Sequence, residues 1–314
     1  PHHRISVVEL GMNHPGEIAY LARIAKPTVA LVNNAQREHQ EYMGTVEAVA
    51  YENGAVLQAL PANGVAVYPA DDTYTPIWTA LAAPRACRTF ALQEAQVSAA
   101  VVLWSAGAWQ FTLKTDEGTA PVRLHIAGRH NVKNALAAAA CALSAGVGLA
   151  AVVQGLQAFE PVKGRSRALM IQQGNRVLSL VDDTYNANPD SVRAAIDVLA
   201  ELPAPRLMVL GDMGEVGDQG PQFHAEVGGY AAERGIDALY TLGELSGHAT
   251  QAFGHGVHFA DMVALQAEVL ARWTTFASIV VKGSRFMKME RVVEILQAQD
   301  SSKQEIQKGE AHAA

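Results

Sequence analysis

Between residues 166 and 299 the chain repeats a single pattern: a short apolar run, a polar or glycine turn, then a stretch with helical spacing. The runs Val177–Val181, Leu207–Leu210, Ala238–Leu242, Val257–Phe259 and Ser278–Val281 suit buried strands. Helical periodicity follows most of them, at Ser191–Glu201, Gln222–Arg234, Met262–Trp273 and Lys288–Gln297. Strands separated by helices across short connections pair as parallel neighbours, with the helices packed on the sheet faces. The pattern predicts a mainly parallel, doubly wound sheet.

Residues 1 to 161 are less regular. Predicted strands are Ile5–Leu10, Val29–Asn34 and Val65–Tyr68, with helices at Gly16–Ala25 and Thr45–Leu60. The texture then changes to short β segments at Val97–Trp104, Trp109–Lys114 and Val122–Ile126, with turn residues between them. An alanine-rich helix, Val132–Ala145, follows. This reads as an α/β domain carrying an antiparallel patch. Glu160–Arg165 is the expected hinge, and the polar tail after Gln299 is expected to fray.

Composition removes several functions. A net charge of -7 leaves no broad basic footprint for nucleic acid. Cys87 and Cys141, the only cysteines, suggest neither a disulfide framework nor a zinc site. No apolar run approaches the roughly 20 residues that span a bilayer, so no membrane insertion is expected. The chain opens at Pro1, without an initiator Met and almost directly in a predicted strand, so further sequence is expected upstream.

Ligands of open α/β sheets collect outside the carboxyl ends of the strands, often against a helix N-terminus. Here those ends are rich in functional groups. Strand Val177–Val181 runs into Asp182-Asp183-Thr184-Tyr185-Asn186-Ala187-Asn188-Pro189. A buried strand has no need of such a tip, whereas a ligand with hydroxyls, amines and phosphates does. The competing account is a turn whose Asx side chains bond their own backbone. Arg165, in the hinge, is placed to clamp a phosphate or ribose, or to make a surface salt bridge. Leu210–Gly217 is a glycine turn, but glycines at 211, 214 and 217 do not match G-x-G-x-x-G, which disfavours a dinucleotide oxidoreductase. Lys282-Gly283-Ser284-Arg285 ends the last strand with cations and a hydroxyl that suit a carboxylate or phosphate.

In the first block, Glu9 lies beside a glycine turn and suits Mg2+, which prefers oxygen ligands; a capping role is the alternative. His39 becomes a second candidate ligand only in company with Glu9. Asn131 and Asn134 are three apart and share one face at a helix start, and an ordinary cap explains one of them but not both.

The segments Glu9–Ile18, Gly128–Asn131, Asp182–Pro189, Leu210–Gly217 and Val281–Arg285 resemble the Mur ligase family, and the likeness extends to about Gln297. The resemblance implies a central nucleotide-binding α/β domain at 1–161, incomplete at its N-terminus. It implies next a Rossmann-like, mainly parallel, doubly wound C-terminal domain at 166–299, and then a tail at 300–314. It further implies a cytoplasmic, monomeric, ATP-dependent ligase of peptidoglycan synthesis, joining D-alanyl-D-alanine to UDP-N-acetylmuramoyl-tripeptide through an acyl phosphate. Its implied cofactors are ATP and Mg2+. Glu9 and His39 match metal positions. Asn131, Asn134, Arg165, Asp183, Asn186 and Asn188 match nucleotide-facing positions. Asn13, His14, Ser284 and Arg285 match substrate-facing positions, and Lys282 with Glu9 and His39 a catalytic role.

Two departures accompany the likeness. The family's Gly-Lys-Thr/Ser phosphate loop and its first domain are not in these residues and would lie before Pro1, so the chain alone is expected to be inactive. Asn53 stands where many members carry a lysine, carbamylated to help hold a second Mg2+. The alternatives are a sister ligase acting on another amino acid or on folate, and a non-catalytic module derived from a ligase.

Overall fold

A computed structural model describes residues 2–37, 40–105 and 107–300. The chain divides into two units, one of residues 1–124 and 130–159, the other of 125–129 and 160–314.

The first unit opens with helix α1 (Glu17–Ala25), strand β1 (Val29–Leu31), a short helix α2 (Gln40–Met43) and helix α3 (Val46–Gln58). Strand β2 (Val65–Pro69), helix α4 (Thr75–Ala82) and strand β3 (Ala86–Phe90) complete a parallel sheet of order β1-β2-β3. Thr45 caps α3 by accepting the Ala48 N–H, so the helix starts where a β-region threonine can satisfy a free donor. α3 and α4 lock through Trp78, whose fully buried indole donates to the Ala50 carbonyl at 2.9 Å. Val49, Leu57, Ala66 and Tyr68 fill the same core. Each large aliphatic side chain buried there is worth roughly 1.5–3 kcal/mol.

The antiparallel patch is present as β4 (Ser98–Ser105), β5 (Ala108–Thr115) and β6 (Gly118–Leu124). Helices α5 (Arg129–Ser144) and α6 (Leu149–Gln157) follow. The expected strand at Ile5–Leu10 does not form, and Val7 is 95% exposed. An apolar run becomes a strand only when a neighbouring chain takes up its backbone donors and acceptors. Among the described residues no ladder joins it.

The second unit begins with an edge strand, β7 (Arg167–Gln173), paired antiparallel with β8 (Arg176–Asp183). Then come α7 (Pro189–Glu201), β9 (Arg206–Gly211), α8 (Gly220–Glu233), β10 (Ala238–Leu242) and α9 (Gly247–Phe253). β11 (Val257–Phe259), α10 (Met262–Arg272), β12 (Ser278–Lys282) and α11 (Glu290–Gln297) end the order. The sheet reads β11-β10-β9-β12-β8-β7, parallel throughout except for β7. Leu207, Val209, Ile279 and Val281 face a core shared with Leu265 and Val269 of α10 and Val292, Val293 and Leu296 of α11. The alternate residues Met208, Leu210 and Val280 are buried too, so both faces are covered, as a parallel sheet requires.

Among the described residues no helix is long and apolar enough to cross a membrane. Residues 301–314, the bulk of the expected tail, lie outside the described set.

Candidate functional site

In the second unit the carboxyl end of β8 holds the densest polar cluster. Successive strand residues point to opposite faces, so the two adjacent acids do different work. Asp182 is 1% exposed; it accepts the Gly164 N–H at 3.0 Å and the Thr184 hydroxyl at 2.7 Å. Asp183 accepts the N–H and hydroxyl of Ser166 on one oxygen, at 2.9 and 3.2 Å. Its other oxygen takes the Lys282 ammonium at 2.5 Å. Lys282, 3% exposed at the tip of β12, also donates to the Asn186 carbonyl at 2.9 Å. Register explains the meeting: Lys282 lies opposite Asp183 in the β12–β8 ladder.

The expected hinge segment is bound to this tip. Gly164 sits at φ +83, where a Cβ would stand 3.2 Å from the Tyr185 nitrogen, and its carbonyl accepts that same N–H. The Arg165 guanidinium lies 4.1 Å from the centre of the Tyr185 ring, a cation–π stack that fixes its direction. Asn188 is spent on the fold: it and Ser191 form a reciprocal capping box at the start of α7. The Asn186 side chain accepts the Ala187 N–H.

Sequence reasoning missed Asp212, at the end of β9. Its carboxylate accepts the N–H groups of Glu244, Leu245 and Ser246, at 2.7–3.2 Å. Its carbonyl accepts both the N–H and the hydroxyl of Ser284, at 2.9 and 2.5 Å. Ser284 is therefore turned inward, while Arg285 is exposed and pairs with Glu290 at 3.1 Å. The glycines of Leu210–Gly217 serve this packing: a Cβ on Gly211 would meet Met289, and one on Gly214 would meet Ser284.

In the first unit, Asn33 donates to Asn134 at 2.9 Å and Asn134 to Asn131 at 2.9 Å, a run of amides from the tip of β1 to the start of α5. The nearby Lys133 pairs with Asp71 at 2.6 Å. The Asn13–Ile18 turn is held by two carboxylates. Glu17 accepts the N–H groups of Asn13 and His14, which, with the His14 ring, hold its carboxyl below the usual range. Buried Glu52 accepts those of Gly16 and Ile18, both at 2.8 Å. Glu52, 36 residues from Gly16, carries no local signal of that role. Asn53 donates to the Asn34 carbonyl at 3.3 Å.

Glu9 is exposed, and His39 lies outside the described residues. Among the described residues no group of three or more His, Cys, Asp or Glu side chains could hold a metal. An exposed carboxylate such as that of Glu9 is the ligand type Mg2+ takes, commonly one or two carboxylates with phosphates and water completing its shell.

Residues 1–142 match the Mur ligase middle domain, and residues 166–285 the Mur ligase glutamate ligase domain. The chain belongs to the Mur ligase family. Within it, the chain is 38% identical over 301 residues to the UDP-N-acetylmuramoyl-tripeptide–D-alanyl-D-alanine ligase of Escherichia coli, covering 95% of this chain and 66% of that protein. It is 37% identical to the Haemophilus influenzae ligase of the same name, over 93% of this chain and 64% of that protein. Among solved structures, MurF from Acinetobacter baumannii superposes with a TM-score of 0.86 at 33% identity, covering 94% of this chain and 65% of that one. The chain thus spans just under two thirds of the length of these relatives.

Proposed function

We propose that these residues are the middle and C-terminal parts of an ATP-dependent ligase. It would join D-alanyl-D-alanine to UDP-N-acetylmuramoyl-tripeptide in peptidoglycan precursor synthesis. The observation that carries this is an identity of 38% and 37% with two ligases of that name, running through both family domains. The carboxylates, amides and cations gathered at the strand tips support this reading.

In the proposed reaction a tripeptide carboxylate oxygen attacks the γ-phosphorus of ATP, and ADP leaves. The dipeptide amine then attacks the acyl carbon, loses a proton and expels phosphate. Such chemistry depends on positioning and charge stabilisation more than on a protein nucleophile. Glu9, with His39, would hold Mg2+, which when bound neutralises phosphoryl oxygens. In the first unit Asn131 and Asn134 would be nucleotide-facing; in the second, Arg165 and Asp183 would be the groups suited to a ribose and phosphates. Asn186 and Asn188, held by the turn they stabilise, would be further nucleotide-facing residues of the second unit. Lys282 would keep a cation at the β8–β12 tip. Asn13, His14 and Arg285 would face the peptide substrates. Nothing in the 314 residues supplies a Gly-Lys-Thr/Ser phosphate cradle, so catalysis would need a longer protein. Soluble nucleotide substrates imply a cytoplasmic enzyme, and we take it to act as a monomer.

The test is ATP turnover by the natural full-length protein with each substrate omitted in turn. Release of ADP only when both are present supports the reading; turnover independent of D-alanyl-D-alanine overturns it. The 314-residue chain alone is expected to show none.

A further inference from the structure

The carboxyl ends of β9, β10 and β12 are tied by one residue. Asp212 is 6% exposed, and its carboxylate accepts the three consecutive N–H groups of Glu244–Ser246 after β10. Its carbonyl takes both donors of Ser284 after β12. Gly243 stands at φ +130, and a Cβ there would fall 2.3 Å from the Asp212 carboxyl, so the contact demands glycine.

Beneath it lies His224, fully buried. Its Nε2 accepts the Met213 N–H at 3.0 Å, and its Nδ1 therefore carries the proton donated to the Gly220 carbonyl at 2.7 Å. The imidazole is neutral in this arrangement, and the donors that meet the Asp212 carboxylate are backbone N–H groups. The same bonds account for Ser284. Its hydroxyl proton is committed to the Asp212 carbonyl and it is 2% exposed, while the next residue, Arg285, is exposed and pairs with Glu290 at 3.1 Å.

We propose that Asp212 is a positioning residue for the peptide end of the site, acting through Ser284 to fix where Arg285 stands. Ser284 then affects the substrate only through this link and not by touching it. The inference rests on the ligase reading above. It assigns to Arg285 the anionic group of the incoming dipeptide, its carboxylate, by the bidentate chemistry of guanidinium.

Ser284→Ala, Asp212→Asn and the double variant separate the possibilities in the full-length enzyme. Each single change should raise KM for D-alanyl-D-alanine about tenfold and leave KM for ATP within about twofold. The double variant should be no worse than Asp212→Asn, because both act along one path. Effects that multiply, or a lowered Tm with KM unchanged, would overturn the proposal. Ser284→Ala keeps the backbone N–H bond to Asp212, so it tests the link even if Asp212→Asn folds poorly. Amide exchange on the 314-residue chain supplies a readout independent of activity. Asp212→Asn should speed exchange at Glu244, Leu245 and Ser246, and amides already unprotected there in the wild type would refute the clamp. A wild-type enzyme that fails to ligate would instead overturn the ligase reading.

Discussion

Replacing Lys282 by Met strands the Asp183 carboxylate. The Lys282 side chain is 4% exposed and that of Asp183 16%, so water cannot readily take the place of the ammonium. Removing one member of a buried pair costs roughly 3–5 kcal/mol, mainly because the remaining charge stays buried and unpaired. Asp183 keeps the N–H and hydroxyl of Ser166, each worth about 1 kcal/mol net. That places the expected loss at the lower end, about 3 kcal/mol. Exchange of the buried Ile279, Val280 and Val281 amides reads it directly, since β12 lies mid-sheet and opens only with its unit. Adding Asp183→Asn to the Lys282→Met protein removes the stranded charge and should recover about half of the loss. A cost below about 1 kcal/mol, the range of solvated ion pairs, would mean that Lys282 and Asp183 are not a buried pair. So would a double variant less stable than Lys282→Met.

Two adjacent glycines of α8 should respond in opposite ways. Gly229→Ala meets nothing within 4 Å and should stabilise by about 0.4–1 kcal/mol, whereas Gly228→Ala puts a Cβ 2.1 Å from the Ala249 carbonyl of α9 and should cost about 2–3 kcal/mol; urea titration distinguishes them. His224 supplies a pH dependence. Burial is the main cause that holds its pKa below the usual 6.5, so the unfolded chain takes up the proton first. Its contribution is complete above pH 6.5 and is lost as pH falls below that value. Melting curves between pH 8 and pH 5 should show the decline, and His224→Gln should flatten it.

The sheet of the second unit was legible because its strands are apolar on both faces and its main helices carry a long 3.6 period. β7 was not: it is a half-exposed edge strand, with Met170 in solvent, and its pattern is ambiguous. α9 has seven residues, too few to show periodicity. Ile5–Leu10 looked like a strand because composition records hydrophobicity and not whether a partner strand pairs. The polar tips were readable as clusters, yet their internal division was not. Nothing local says that Asp182 turns inward to the 164 backbone while Asp183 meets Lys282. Asp212 and Glu52 bind partners more than 30 residues away, which a single sequence does not reveal.

The proposed reaction passes through an activated carboxyl group. The most direct measurement uses UDP-N-acetylmuramoyl-tripeptide labelled with 18O in its terminal carboxylate, incubated with the full-length protein, ATP and D-alanyl-D-alanine. One labelled oxygen is expected to leave in inorganic phosphate and the other to remain in the new amide. Unlabelled phosphate, or no amide product, would contradict it.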